Sequence, residues 1–493
     1  MTVGPSARVW ERSAVTNRES RHRRLRSVIP WSLAEEPDNP GFVTVQRMFA
    51  WSRLEDRSAR GIAAFVGRAI RDGTLPVGTR LAPVRAIARE LGVSPTTVSD
   101  AWRELARNGA IESHGRNGTY VRLPDPVLAP RRYRQVTDGR AEFELDLSTG
   151  TPDPALLPPL APALARAATR GDLTTSYADD PVLPELGDIL REDWPFPPES
   201  FAVFDGAMDA LDRVLRETVR IGDRVVVEDP TFPPLLDLLD VLGAVVVPVG
   251  VDECGLRPDE FATALRDADP VAVIVQPRAQ NPSGAAFDPE RVDALARLLR
   301  SSPRTLVVED DHAGAIASEP RLSLGAHLVD RTVTILGFSK SHGPDLRLAA
   351  IGGASGPIDA AATRRQLGPG WSSRLLQAAL AELLVDAHAS DQVATARSRY
   401  ARRRLHLVDG LRKRGLAVSG RDGINVWVPV DDEQHALVAL AARGIAVAPG
   451  TPFRVVDPRH HIRVTVASLS DSDADVVDAI DRAARRPDAV RRA

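Results

Sequence analysis

From about residue 146 onward, short apolar runs rich in β-branched residues alternate with stretches of helical spacing. The runs are VVV at 225–227 and 245–247, VAVIV at 271–275, TLVV at 305–308 and TVTIL at 332–336. Between them lie segments such as PERVDALARLLRSS, whose apolar positions recur every three to four residues. A strand apolar on both sides must be covered on both faces, and parallel neighbours need a crossover helix between them. The alternation therefore predicts an α/β domain with a mainly parallel sheet. From about 385 to 493, helical stretches mix with INVWVPV and HIRVTVASL, which predicts a smaller C-terminal α/β lobe.

The 493 residues divide by composition. Residues 1–48 hold eight arginines against five acids with little apolar periodicity, and read as a flexible basic extension. Residues 49–122 read as a compact helical unit with a hairpin. Residues 123–145 are rich in proline and charge and read as a linker. Residues 146–493 form the α/β domain. The single cysteine, Cys254, excludes an internal disulfide and a thiolate zinc cage, and no metal site is expected. No apolar run approaches the roughly 20 residues of a spanning helix. The basic N-terminus lacks the apolar core of a secretory signal. These features suit a cytoplasmic protein with no membrane partner.

The helical unit carries a specific pattern. In APVRAIARELGVSPTTVSDAWREL, Val84, Ile87, Ala88 and Leu91 follow helical spacing and Gly92 marks the stop. Ser94 is placed to cap a second helix with Pro95 at its first position. Val98, Ala101, Trp102 and Leu105 form its buried face, leaving Thr96, Thr97, Ser99 and Arg103 outward. Two helices joined by a short turn suggest a helix-turn-helix. The tail AIESHGRNGTYVR reads as strand, basic turn and strand, a wing with Arg116 at its tip. Residues 49–125 carry twelve arginines against eight acids, while the whole chain has a net charge of −3. A basic unit within an acidic chain points to duplex DNA. A helical dimerisation module is the alternative.

The second chemistry centres on lysine. Only Lys340 and Lys413 occur among 63 basic residues. Arginine replaces lysine on a surface, but not where an amine must form an imine. Lys340 follows an apolar strand in TILGFSKSHGPDLRLAAIGG, with Arg347 seven residues on. VVEDDHAG at 307–314 places carboxylates at a strand end. QNPSG, EDPTFPPL, TTSYADD and HIRVTVA add Asn281, Phe232, Tyr177 and Arg463.

The first unit resembles the GntR-type winged-helix domain over nearly all of residues 50–122, through AIRDGTLPVGTRL, R-x-I-A-x-E-L-G-V-S, T-V-x-x-A-W-R-E-L and G-R-N-G-T-Y-V. The resemblance implies DNA contacts from Arg85, Thr96, Thr97, Ser99, Arg116 and Gly118. Pro95 stands where the family usually has a basic residue. The order of the remaining pieces resembles fold-type I aminotransferases over about 146–470. A winged helix linked to such a domain is similar to the MocR subfamily of GntR regulators. That resemblance implies pyridoxal 5′-phosphate (PLP) as cofactor, with Lys340 as the imine-forming lysine. Asp310 pairs with the pyridine nitrogen, Asn281 bonds the ring hydroxyl, Phe232 stacks on the ring, and Arg347 with Ser339 binds phosphate. Tyr177 reaches the phosphate of a partner subunit in a homodimer, and Arg463 takes an effector carboxylate. Three departures stand out. His312 occupies the place of a tyrosine donor. The phosphate turn reads Asp205-Gly206-Ala207-Met208, so the hydroxyl at 207 is missing. Position 337 is glycine. The expectation is a DNA-binding regulator that senses an amine or amino acid by imine exchange at Lys340. An active aminotransferase carrying a DNA-binding domain, and a regulator that uses the large domain only to dimerise, are the alternatives.

Overall fold

A computed structural model describes the chain from Trp51 to Arg486, apart from residues 52–53, 55, 72–73, 108–109, 114–117, 123–130, 138–142, 172, 174–175, 178 and 471–472. The expected extension 1–48 and the wing-tip Arg116 lie outside the described residues. The chain divides into two compact units, Met1–Leu123 and Pro124–Ala493.

The first unit contains α1 (Ala59–Arg71), β1 (Arg80–Leu81), α2 (Val84–Leu91), α3 (Pro95–Arg107), β2 (Ile111–Ser113) and β3 (Thr119–Val121). Three strands pair antiparallel in the order β1-β3-β2. Gly92 ends α2 in the left-handed conformation at φ 68°, with its N–H donating to the Ala88 carbonyl. Ser94 Oγ accepts the Thr97 N–H at 3.1 Å, which is the expected N-cap. Ile62, Val66, Ile87, Val98, Ala101, Trp102 and Leu105 are buried in one core, so the helical spacing read from sequence is the packing spacing.

The second unit begins within the segment read as linker. Arg131–Thr137 forms a helix, α4. It is capped from a distance: Asp237 accepts the N–H groups of Arg132 and Tyr133 at 3.2 and 3.1 Å. The linker reading missed it because the cap residue lies about a hundred positions downstream. Strand β4 (Leu145–Leu147) follows.

Eight strands make the large sheet: β5 (Ser200–Phe204), β6 (Arg224–Asp229), β7 (Val245–Asp252), β8 (Gly255–Leu256), β9 (Ala272–Val275), β10 (Leu306–Asp311), β11 (Thr332–Gly337) and β12 (Ala349–Gly353), ordered β5-β12-β11-β10-β9-β6-β7-β8. The pairs joining β11, β10, β9, β6 and β7 are parallel; β12 runs antiparallel to both neighbours. Val225, Val226, Val227, Val307 and Val308 are fully buried on the two faces of the sheet, as continuous apolar runs require. Two helices at its strand ends matter for the site: α5 (Ala207–Thr218) and α6 (Pro233–Leu242).

The smaller lobe is built on a four-stranded sheet of β13 (Asn425–Pro429), β14 (Ile445–Pro449), β15 (His461–Thr465) and β4, ordered β13-β15-β14-β4. The sequence reading confined this lobe to about 385–493. Its edge strand comes instead from the start of the domain, paired parallel with β14. Leu147 is fully buried in the lobe's core. Leu147→Ala should therefore lower stability by roughly 2–5 kcal/mol, as for other buried leucines, read as a fall in the denaturation midpoint. The half-buried Leu145 should cost less on the same substitution.

Candidate cofactor and DNA-binding sites

The carboxyl ends of the parallel strands converge on one cavity of about 300 Å³, where open α/β sheets bind ligands. Asn281, Asp310, His312, Phe232, Ser339, Lys340, Arg347, Ala207 and Arg463 all line it. Residues scattered over more than 250 positions are thus brought together.

Lys340 is half-buried, and its Nζ donates to the Gly150 carbonyl at 2.5 Å. Desolvation, with Arg463 nearby, lowers its ammonium to about 8, while Asp310 pulls the other way. Asp310 is buried at the end of β10. Its Oδ2 accepts from Gln276 Nε2 at 2.8 Å, and its Oδ1 has no partner. Burial pushes this carboxyl up, and His312 opposes that. The neighbouring Asp311 is committed elsewhere, to Arg278 at 2.8 Å. Glu228, also buried, is pushed up to about 8 by desolvation, so it is neutral at pH 7 and adds no charge beneath the pocket.

Asn281 Oδ1 accepts from Arg463 and Asn425, both at 3.4 Å, so its amide N–H groups remain as donors. Arg463 is 3% exposed. It donates to the Ser148 carbonyl and lies 5.0 Å over the Phe453 ring. Among the described residues no carboxylate lies within ion-pair distance of it, and its Nε has no partner. Burial lowers it to about 10.

The departures have physical causes. A Cβ at Gly337 would sit 3.3 Å from the His312 carbonyl oxygen, a tight contact that a side chain there would have to push back. Gly206 adopts φ 100°, and a Cβ on it would meet Arg347 Nη2 at 3.0 Å. The glycine lets the guanidinium lie against the N-terminus of α5, which favours an anion. The Asp205 carboxylate, beside the phosphate turn, pairs with buried Arg365 at 2.6 Å. His312 was expected to donate toward a ring hydroxyl. Its Nε2 instead bonds the Ala279 carbonyl at 2.9 Å, and burial lowers its pKa. Tyr177 is not brought into the cavity. It is 94% exposed, with its ring 5.7 Å from Trp371.

These features fit PLP. Asp310 has a buried oxygen without a partner for a pyridinium N–H, and the cradle at Gly206 would be closed by a Cβ. The desolvated amine suits carbonyl attack. Gln276, Gly150, Arg365 and Tyr133 were missed from sequence. Only the Q-P-x-x-Q-N-P run around Gln276 offered a signal.

In the first unit, Arg85 and Thr96 are exposed, and Thr97 and Ser99 half-buried. The Thr97 hydroxyl lies 2.9 Å from Ser94 Oγ, so it is shared with the cap. Gly118 has φ 103° and sits against exposed Arg80, a cation at the wing base that the motif reading had not named.

Two outcomes are expected. Gly206→Ala should weaken PLP binding at least tenfold by titration, because it displaces Arg347 and strains φ. Capture of added PLP by the apo-chain, read from its absorbance band, should rise about tenfold per pH unit up to pH 8 and then level, following the free amine of Lys340. The same shift means that the fold binds fewer protons than the unfolded chain between about 8 and 10.5, so this group's penalty to stability is relieved as pH rises through that window.

The family model for aminotransferase class I and II matches residues 144–480, and that for bacterial regulatory proteins of the gntR family matches 58–121. The chain is 35% identical over 441 residues to the vitamin B6 salvage pathway transcriptional repressor PtsJ of Salmonella typhimurium, covering 87% of this chain and 100% of that one. It is 27% identical to the HTH-type pyridoxine biosynthesis transcriptional regulator PdxR of Corynebacterium glutamicum, over 78% of this chain and 85% of the relative. The α-aminoadipate aminotransferase LysN of Thermus thermophilus, solved with N-(5′-phosphopyridoxyl)-L-leucine, superposes with a TM-score of 0.64 at 22% identity, covering 71% of this chain and 94% of that one, and shows the shared fold. A gntR winged helix followed by a PLP-type aminotransferase domain, with a relative of the same whole-chain layout, makes this protein a transcriptional regulator of the MocR type within the GntR family.

Proposed function

We propose that the regulator binds PLP in the cavity around Lys340 and that occupancy of this cavity sets its affinity for a DNA operator. One observation carries the reading. A buried arginine without a carboxylate, a buried aspartate oxygen without a partner and a desolvated lysine face one cavity. Each lacks what a phosphorylated pyridine aldehyde, or an amino acid joined to it, would bring.

When bound, PLP supplies an aldehyde carbon that condenses with primary amines and a pyridine ring that withdraws electrons. The protein's own groups do the rest. Lys340 Nζ acts as the nucleophile, and its lowered proton affinity keeps a useful fraction neutral. Asp310, braced by Gln276, holds a proton at the ring nitrogen. Arg347, the α5 N-terminus and Ser339 hold the phosphate. Phe232 covers one ring face, Asn281 donates to the ring hydroxyl, and Arg463 takes an effector carboxylate. The exposure of Tyr177 supports a homodimer in which it reaches the partner's site. The names of the two relatives support vitamin B6 metabolism as the controlled process, with PLP itself as one signal and an amino compound as a second. Arg85, Thr96, Thr97, Ser99, Arg116 and Gly118 supply the DNA face of a cytoplasmic regulator.

A regulator is favoured over an enzyme by the phosphate turn and by His312. Ala207 and Gly337 offer no hydroxyl to phosphate, and the Ala279 carbonyl holds His312. Repeated turnover needs tight ring geometry, and displacements near 1 Å can cost about a hundredfold in rate.

The test measures operator affinity and cofactor absorbance on the same purified chain. PLP should produce the band of lysine-bound cofactor and shift operator affinity, and Lys340→Ala should lose both. Arg463→Gln should keep the band but lose the response to a carboxylated amine. Sustained keto-acid production from an amino-acid and keto-acid pair would establish the enzyme instead. DNA affinity should fall with salt, and Arg85→Ala should reduce that slope by about one if it contacts a phosphate.

A further inference from the structure

The helix α4 belongs to neither of the sites read from sequence, yet it touches one and leads to the other. Tyr133 and Val136 line the same cavity as Lys340, Asp310 and Arg463. Val136 packs against the Trp427, Ala448 and Phe453 cluster, and Phe453 is the ring beneath Arg463. Tyr133 lies close enough to Arg463 to interact with its charge. It remains 44% exposed, so a ligand entering the cavity has access to it.

Beside the apolar contact of Val136, α4 has a polar anchorage on α6. Asp237 is 9% exposed and accepts two consecutive N–H groups, those of Arg132 and Tyr133. Arg132 Nη1 adds an ion pair to Asp240 at 2.6 Å. Both acids sit on α6, whose N-cap is the cavity residue Phe232. A helix of seven residues is too short to persist alone in water, so its order depends on these contacts. Covalently, eight residues, 123–130, separate α4 from Arg122, which directly follows wing strand β3.

We propose that α4 is the element through which the pocket acts on the DNA-binding unit: Tyr133 contacts the bound ligand, and occupancy changes how firmly α4 is held on Asp237. The proposal rests on the sensing function above and names its route. A ligand that fills the space between Arg463 and Tyr133 favours one placement of α4, and an empty cavity relaxes it. Such a device needs a difference in ligand contact between two states and an element both sites can bias. A short helix that lines the cavity and is anchored on α6 supplies both.

The experiment uses the full chain, with PLP as the probe. Amide hydrogen exchange of residues 131–137 is measured with and without saturating PLP, alongside operator affinity and the cofactor band. In the wild type, PLP should alter exchange at the Arg132 and Tyr133 amides and change operator affinity within the range of ordinary coupling, about 5–150-fold. Asp237→Ala removes the anchor without touching the cofactor residues. It should keep the band while the PLP-dependent change in DNA affinity falls below twofold. Arg132→Ala, a half-buried position outside the apolar clusters, should reduce the change part of the way and covers the case in which Asp237→Ala does not fold. Full coupling in both variants, or in Arg132→Ala alone if the other is unfolded, together with unchanged 131–137 exchange on PLP binding, would overturn the proposal. A wild type that shows the band but no change in DNA affinity would instead overturn the sensing function itself.

Discussion

Four of the carboxylates buried at the strand ends control the character of the pocket. Glu228 ends near Asp310, and Glu309, Asp310 and Asp311 follow one another along β10. Burying a carboxylate is costly unless it is paired, hydrogen-bonded or neutral. Each is satisfied differently. Glu309 accepts from Ser323, Thr334 and the Leu324 N–H. Asp311 is paired with Arg278. Glu228 is held largely neutral by desolvation and accepts from Gln280 and the Gln276 N–H. Strand alternation puts Glu309 and Asp311 on one face and Asp310 on the other. Asp310 Oδ1 and Glu228 Oε1 have no hydrogen-bond partner, and of these two residues Asp310 is the one that lines the cavity.

The arginines are arranged around the same economy. Arg365 neutralises Asp205 from beneath, so the α5 N-terminus and Arg347 are left to act on an anion. Arg463 is buried without a carboxylate, which makes it the group with most to gain from an anionic ligand. Desolvation first, and Arg463 second, lower the proton affinity of Lys340. Asp310, Arg347, Arg463 and Lys340 are therefore parts of one electrostatic arrangement rather than independent groups.

The smaller lobe ties this arrangement to the chain's start. β4 completes its sheet, Tyr133 and Val136 of α4 line the cavity with the lobe's Phe453, and the Gly150 carbonyl, just past β4, accepts a hydrogen bond from Lys340 Nζ. Residues at the beginning of the unit thus complete a site whose chemistry lies 150 to 300 positions later.

Local pattern determined a great deal. The β-branched runs, the Gly92 stop, the Ser94 cap and the helical spacing of Ile87, Leu91, Val98 and Trp102 all depend on neighbours within a few residues, and they stand in the fold as read. Lys340 was identifiable because lysine is nearly absent from this chain. Asn281, Phe232, Arg347 and Arg463 came from motif order. Tertiary structure alone decided which of two adjacent aspartates stays open, that Ala279 takes His312, that Arg365 cancels Asp205, and that a proline-rich linker segment folds into a helix capped by Asp237. Each of these is a contact between distant segments, whose partners are fixed by packing and burial and leave no periodicity in the sequence to read.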